Sequence, residues 1–183
     1  NPDLPLFSFI GRFAGEKGSD LLPDIGWKSI QQTYGALNIM ILGSGEKHVE
    51  HQLSELSYSY SNFALDLGYK EYLSHKIYAS SDFLLMPSRV EPCGLNQMYA
   101  MRYGTVPVVR YTGGLRDTVQ AIPTGRSGIN FGSATAEDAV HAMHRARHTY
   151  HENGLMDSLV HSNMNYDFSW EKSAAKYLEL YGR

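Results

Sequence analysis

The sequence has little cysteine and no long apolar run. Its 183 residues include one cysteine, Cys93, which excludes a disulfide within the chain and fits a reducing compartment. No apolar run approaches the length of a membrane span, and no secretory signal pattern is present. The sequence therefore gives no reason to expect a membrane partner.

A large excess of charge of either sign is also missing. Sixteen Lys and Arg residues nearly balance nineteen Asp and Glu residues, and the formal net charge is −3. This balance gives no electrostatic reason to expect nucleic acid, so any anion site must be local. Apolar residues make up 43% of the chain and charged residues 19%, which is typical of a folded globular protein.

The length suits one domain, or two very small ones. Because the chain opens with Asn1 rather than Met, we expect it to be a piece of a longer protein.

Apolar segments of strand length alternate with segments of helical periodicity. We predict strands over 6–11, 36–43, 62–69, 82–87, 105–110 and 127–131. We predict helices after a possible cap at Ser19 or Asp20, and over 46–57, 70–81, 94–103, 113–122, 135–154, 155–163 and 170–181. The strands are continuous apolar runs, which is typical of a parallel sheet covered on both faces. The predicted fold class is α/β, a Rossmann-like doubly wound parallel sheet flanked by helices in one domain over 1–183.

Ligands of such folds gather at the carboxyl edge of the sheet, where the strand-to-helix loops lie. The loop GRFAGEKG places Arg12 and Lys17 at that edge, near a helix N-terminus. Two cations there can hold a diphosphate, although two solvated surface charges are the simpler interpretation of any such pair. The Gly43-Ser44-Gly45 segment is a weak dinucleotide signal and more often serves chain reversal.

The segment SRVEPCGLNQMY interrupts a strand and then starts a helix. Gly94 permits close approach of another backbone or a ligand, and the amides of Gly94, Leu95 and Asn96 are expected to be free for an anion or a hydroxyl. Glu91 lies before those amides, where it could cap the helix, bind a polyol or stabilise positive charge during glycosyl transfer. Cys93 beside it is expected to be a half-buried thiol. These alternatives remain open on residue chemistry alone.

A glycine turn and a histidine-rich helix are two further features of the sequence. The turn formed by Thr112, Gly113 and Gly114 is expected to open a helix with free amides, serving as a structural turn or as one phosphate or sugar contact. Four histidines of the helix over 135–154 share near-helical spacings, yet they lack convergent partner ligands, so no metal site is predicted. They are His141, His144, His148 and His151. Thr135 and Asp138 form a plausible capping box for the same helix.

The combination of GRFAGEKG, PSRVEPCGLNQMYAMRYGTVPVVRYTGGLRDTV and DFSWEKSAAKYLELY resembles the C-terminal half of bacterial glycogen synthases and plant starch synthases. The resemblance runs from about Phe7 to Tyr181. It implies a GT-B fold, in which two Rossmann-like domains face each other across a cleft and this one binds the glucosyl donor, ADP-glucose. It also implies that the helix from about Trp170 normally packs on an N-terminal domain that this chain does not include.

The same resemblance implies roles for individual residues. Arg12 and Lys17 match the pair that holds the donor diphosphate, and Tyr69 matches the aromatic residue that stacks on adenine. Glu91 matches the glutamate that faces the transferred glucose. Sugar hydroxyls or phosphate are expected to meet the segments Gly94, Leu95, Asn96 and Thr112, Gly113, Gly114. Related retaining families carry a second glutamate eight positions after the first, where this sequence has Tyr99, and we expect Tyr99 to pack within its helix.

The sequence thus predicts the donor-binding domain of a retaining glucosyltransferase that extends the non-reducing end of an α-1,4-glucan. ADP or ADP-glucose is the expected ligand, no metal or other cofactor is expected, and the domain alone is expected to have little activity. The expected location is the cytoplasm of a bacterium, or a plastid if the source is a plant. The alternatives are a non-catalytic adenine-nucleotide or nucleotide-sugar binding module, and a GT-B transferase that uses another donor.

Overall fold

The computed structural model describes residues 3–121 and 127–182. Within them, parallel strands form a six-stranded sheet in the order β3-β2-β1-β4-β5-β6. The strands are β1 (Leu6–Phe13), β2 (Asn38–Gly45), β3 (Phe63–Leu67), β4 (Phe83–Met86), β5 (Val106–Arg110) and β6 (Ile129–Phe131). The predicted doubly wound α/β fold is confirmed.

Helices connect the strands and continue beyond the last one. They are α1 (Leu22–Gln32), α2 (Lys47–Ser59), α3 (Glu71–Ser80), α4 (Asn96–Tyr103), α5 (Gly113–Thr118), α6 (Ala136–His151), α7 (Leu155–Met164) and α8 (Trp170–Tyr181). Two short 3₁₀ turns, Gly15–Lys17 and Ser19–Leu21, precede α1. No helix of the described part of the chain is long and apolar enough to cross a membrane.

Strand β4 shows why the strand segments are apolar without alternation. Phe83 and Leu85 belong to the core on the face covered by α1, α2 and α6, whereas Leu84 and Met86 belong to the core on the face covered by α3, α4 and α5. Phe83 stacks on Phe7 of β1 with 4.8 Å between the ring centroids. Each fully buried side chain of this size contributes about 2 kcal/mol to folding. Both faces of the sheet are therefore covered.

Strands β1 and β2 extend further than predicted, and the Gly43-Ser44-Gly45 segment is part of the reason. Gly43 pairs with Gly11, and a Cβ at Gly43 would lie 2.1 Å from the Gly11 carbonyl oxygen. Glycine thus permits a close strand approach that carries β1 to Phe13 and β2 to Gly45. The interpretation as a chain reversal was wrong.

Several predicted helix ends are corrected by the structure. Helix α1 begins at Leu22 without a side-chain cap, because Ser19 donates to the Ala14 carbonyl and Asp20 pairs with Arg89. Helix α5 ends at Thr118, and the predicted end at residue 122 lies outside the described residues. The capping box is half present: Thr135 accepts from the Asp138 amide, but the Asp138 carboxylate accepts from the amides of Gly132 and Ser133.

The order of the strands determines where a ligand can bind. From β1 the chain moves outward to β2 and β3, and it then crosses back so that β4 lies on the other side of β1. The connections after β1 and β4 therefore diverge, and such a switch point leaves a crevice at the carboxyl ends of the strands. The loops that carry Arg12 and Glu91 are the loops on either side of this crevice.

Candidate functional site at the carboxyl edge of the sheet

A cavity of 510 Å³ opens at the carboxyl ends of β1, β2 and β3. This volume is within the range of small-molecule sites in proteins. Of the predicted site residues, Arg12, Tyr69 and Asn96 line it. The remaining lining residues in the described chain are Ile10, Gly11, Leu42, Gly43, Ser44, Gly68, Lys70, Glu71, Ser74, His75, Tyr78 and Tyr99.

The rim of the cavity is open and aromatic. Tyr69, which follows β3, has 86% of its surface exposed. Arg12, at the end of β1, forms a 2.9 Å ion pair with Glu16 in which its side chain is 73% exposed. An exposed pair of this kind contributes little to stability, so the Arg12 guanidinium remains available to an anion.

Three aromatic residues in and beside the cavity were assigned no ligand role from sequence. Tyr99 packs 6.1 Å from the ring of buried Tyr78, in agreement with a packing role, and it also lines the cavity and is 47% exposed. His75 lines the cavity as well, with its Nδ1 2.9 Å from the Tyr103 hydroxyl. Burial raises the pKa of Tyr78. These residues could have been identified from the sequence by their positions on the faces of α3 and α4 that turn toward the carboxyl edge of the sheet.

A compact ionic centre joins the loop after β1 to the loop after β4, and its residues are not among those that line the cavity in the described chain. Lys17 Nζ donates to Glu91 Oε2 at 2.7 Å, and the Ser88 hydroxyl donates to the same oxygen at 3.2 Å. The Glu91 side chain is 7% exposed, whereas that of Lys17 is 27% exposed. Helix α4 has no side-chain cap, so the interpretation of Glu91 as a helix cap was wrong. A buried carboxylate satisfied by a cation is a centre of fixed charge at this edge.

The start of α4 is attached to β1 by a side chain. Asn96 Nδ2 donates to the Ile10 carbonyl at 2.7 Å. Gly94 has a φ of +76°, a conformation that glycine adopts without strain, and the helix begins two residues later than predicted. Leu95 is 57% exposed and Cys93 is exposed, which corrects the expectation of a half-buried thiol.

The turn before α5 packs directly on the Glu91 loop. The Gly114 amide donates to the Glu91 carbonyl at 2.9 Å, so this amide is used inside the fold and is not free as expected. A Cβ at Gly113 would lie 2.1 Å from that carbonyl oxygen, and a Cβ at Gly114 would lie 2.0 Å from the Cys93 oxygen. Thr112 precedes α5 in an extended conformation. These glycines are needed for contact between two loops.

A second ion pair joins the loop after β1 to the loop after β4, and sequence reasoning missed it. Arg89 Nη2 donates to Asp20 Oδ2 at 2.8 Å, and Arg89 Nη1 donates to the Gly15 carbonyl at 2.9 Å. The Arg89 and Val90 amides both donate to the Glu16 carbonyl. The hydrogen bond from Arg89 lowers the pKa of Asp20. These contacts hold the Lys17 segment against the Glu91 segment across the switch point.

The histidines do not form a metal centre in the part of the chain that the structure describes. No group of three His, Cys, Asp or Glu side chains there could hold a metal ion. His144 bonds instead to Gln32, with 2.9 Å between His144 Nε2 and Gln32 Oε1, and burial lowers its pKa.

Comparison with known proteins supports the resemblance seen in the sequence. The family model of glycosyl transferases group 1 matches residues 5–148. A glycogen synthase of Flavobacterium johnsoniae is 47% identical over 182 residues, and one of Bacillus cereus is 40% identical over 183 residues. These alignments cover 99% and 98% of this chain. The chain spans 38% of the length of each relative.

A solved starch synthase structure is similar to this chain in both fold and sequence. The catalytic domain of starch synthase IV from Arabidopsis thaliana, bound to ADP and acarbose, superposes with a TM-score of 0.84 at 37% identity. The match covers 98% of this chain and 38% of that one. The chain belongs to the glycosyl transferases group 1 family, and over nearly its whole length it is similar to the C-terminal domain of GT-B glycogen and starch synthases.

Proposed function

We propose that this chain is the donor-binding domain of a retaining glucosyltransferase that moves glucose from ADP-glucose to the non-reducing end of an α-1,4-glucan. The observation that carries the proposal is that Tyr69 and Arg12 line an open cavity at the carboxyl edge of the sheet, the edge at which Lys17 and Glu91 pair across the loops after β1 and β4. The starch synthase IV catalytic domain, solved with ADP and acarbose, supports an adenine nucleotide and a glucan-like acceptor as ligands of the longer protein.

The cavity suits the nucleotide part of such a donor. An aromatic ring that is 86% exposed offers a face on which adenine can stack, at about 1–3 kcal/mol per base. At the other side of the cavity, Arg12 offers a planar set of N–H donors for phosphate oxygens. We assign the base to Tyr69 and the diphosphate to Arg12 and Lys17.

The Lys17–Glu91 contact explains how the leaving group and the sugar would be placed together. Because Lys17 Nζ lies 2.7 Å from Glu91 Oε2, a phosphate that meets Lys17 brings its attached sugar next to the Glu91 carboxylate. When the anomeric C–O bond breaks, the electron pair leaves with the diphosphate and positive charge develops on the sugar. Lys17 and Arg12 then stabilise the ADP anion, and Glu91 stabilises the sugar cation. No metal is required for this role in the proposal.

We further propose that the glucan acceptor and a second domain complete the site in the longer protein. The chain spans 38% of the length of its glycogen synthase relatives, so a protein of that length has room for the other wall of a cleft. The chain by itself is expected to bind ADP weakly and to elongate glucan little. Steady glucan elongation by the chain alone would contradict this part of the proposal.

Two other functions are separated by nucleotide preference. In calorimetry with ADP, UDP and glucose-1-phosphate, the proposed function predicts the highest affinity for ADP. A preference for UDP would favour a GT-B transferase with another donor. ADP binding by the longer protein without any glucosyl transfer would favour a non-catalytic adenine-nucleotide module.

The stacking assignment is tested by a matched pair of tyrosines. Tyr69 and Tyr72 are 86% and 76% exposed, but only Tyr69 belongs to the cavity lining in the described chain. Tyr69→Ala should weaken ADP binding about tenfold through the lost stacking, measured by calorimetry. Tyr72→Ala should leave the affinity unchanged. Equal affinities in the two variants would refute the assignment of the base to Tyr69.

A further inference from the structure

Gln97 lies in the first turn of α4 and is completely buried. Its Nε2 lies within hydrogen-bond distance of three acceptors: the Cys93 carbonyl at 3.1 Å, the Gly94 carbonyl at 3.0 Å and the Thr118 hydroxyl at 3.1 Å. Two carbonyl oxygens require a donor, which fixes the orientation of the amide, and its two N–H groups are shared among the three acceptors. Its Oε1 is buried and has no hydrogen-bond partner among the residues that the structure describes. A methionine would fill this space without the cost of burying an unpaired oxygen. The presence of an amide here therefore indicates that its N–H donors are used.

The bonds from Gln97 continue through α5 to the Glu91 peptide. The Thr118 hydroxyl, which accepts from Gln97, donates to the Gly114 carbonyl at 2.7 Å. The Gly114 amide in turn donates to the Glu91 carbonyl at 2.9 Å. The network therefore runs from Gln97 through Thr118 and Gly114 to Glu91, and it connects both loops that pack at Gly113 and Gly114.

We propose that Gln97 is a positioning residue that fixes the Glu91 peptide, and with it the carboxylate that pairs with Lys17. The amide holds the loop at Cys93 and Gly94 directly, and through Thr118 it holds the turn on which the Glu91 carbonyl rests. The role of that position in sugar binding rests on the proposed function. The hydrogen-bond network from Gln97 through Thr118 and Gly114 to Glu91, which we call the brace, does not depend on the proposed function.

Thr118 provides the test, because the chain contains a matched control. Thr149 in α6 also donates its hydroxyl to the carbonyl four residues earlier, Arg145, at 3.0 Å, but in a helix far from the site. The first readout is the hydrogen-exchange rate of the Gly114 amide by NMR, divided by that of the Val108 amide in β5, which reports global unfolding. Thr118→Val should raise this ratio about tenfold through the lost buried hydrogen bonds. Thr149→Val should leave the ratio unchanged.

Two more variants sharpen the result. Thr118→Ser keeps the hydroxyl and should restore the wild-type ratio. Gln97→Glu has nearly the same shape but cannot donate to the two carbonyls when ionised, and it should raise the ratio at least as much as Thr118→Val. Equal ratios in Thr118→Val and Thr149→Val would overturn the brace.

The second readout is the Kd for ADP-glucose. It should rise about fivefold in Thr118→Val, as expected for a misplaced hydrogen-bonding group, and stay constant in Thr149→Val. Faster Gly114 exchange with an unchanged Kd would overturn the positioning role. If the wild-type chain fails to bind ADP-glucose, the proposed function fails, and the exchange ratio still decides whether the brace exists.

Discussion

The two halves of the site differ in how firmly the fold holds them. In the open half, around the 510 Å³ cavity, the side chains of Tyr69 and Arg12 are 86% and 73% exposed. In the braced half, Glu91 is 7% exposed and Gln97 is fully buried. Preorganised groups stabilise developing charge without reorganisation, so rigidity belongs where the glycosidic bond would break. The open half can adapt to the nucleotide without cost to folding.

The largest expected effect comes from adding one methyl group to the braced half. A Cβ at Gly114 would lie 2.0 Å from the Cys93 carbonyl oxygen, whereas a Cβ at Gly15, in the 3₁₀ turn after β1, would meet nothing within 4 Å in the described part of the chain. Gly114→Ala should therefore lower the free energy of unfolding by about 3 kcal/mol, measured by urea denaturation. Gly15→Ala should change it by less than about 0.5 kcal/mol. Similar losses in both variants would show that the close packing of Gly114 on Cys93 is not the cause of the instability.

The two predicted diphosphate cations should separate stability from binding. Lys17→Ala leaves the buried Glu91 carboxylate without its cation and should lower the free energy of unfolding by about 1–2 kcal/mol. Arg12→Ala removes only an exposed pair and should cost about 0.3 kcal/mol. Both variants should weaken ADP binding about tenfold or more, since each removes a charge-assisted contact to phosphate. Urea denaturation measures the free energy of unfolding, and calorimetry on the same samples measures the affinity for ADP.

Two results would undo this separation. Unchanged ADP affinity in both variants would remove the diphosphate assignment. A larger loss of stability in Arg12→Ala than in Lys17→Ala would contradict the distinction between an open half and a braced half.

A smaller effect than that of Lys17→Ala is expected for the ion pair that joins the two loops. The hydrogen bond from Arg89 lowers the pKa of Asp20 below its ordinary value of 3.8, so the stabilisation is present above that pH and is lost as the pH falls through the folded-state pKa. Asp20→Asn should cost about 0.5 kcal/mol near neutral pH, and the difference from wild type should vanish in acid below the folded-state pKa. Asp66→Asn, in an exposed pair with Lys70, is the control. A difference that persists in acid would show that the effect is not ionic.

The sheet was predictable because its signal is local. A run such as FLLM is apolar at every position only when both faces are covered, and β4 divides its side chains between two cores. The position of Arg12, Tyr69 and Asn96 at one edge of the sheet was predictable, because parallel strands bring their carboxyl ends and the following loops together. Their contacts with a nucleotide remain predictions.

The contacts between loops were not predictable, because they depend on geometry far apart in sequence. Asp20 has the chemistry of a helix cap, and only the fold shows that its partner is Arg89, 69 residues later. The Gly114 amide was expected to be free, and only the packing of two turns shows that the Glu91 carbonyl accepts from it. Tyr99 was expected to pack within its helix because it replaces the second glutamate of related families, and only the fold shows that it also lines the cavity.

A crystal structure of this chain with ADP-glucose would test the central claim most directly. The expected complex has adenine on the Tyr69 ring, the diphosphate within hydrogen-bond distance of Arg12 and Lys17, and the glucose next to the Glu91 carboxylate. In that complex the Gly114–Glu91 hydrogen bond should be unchanged while the Arg12–Glu16 pair opens. A nucleotide bound elsewhere on the chain, or a glucose turned away from Glu91, would contradict the assignment of the site.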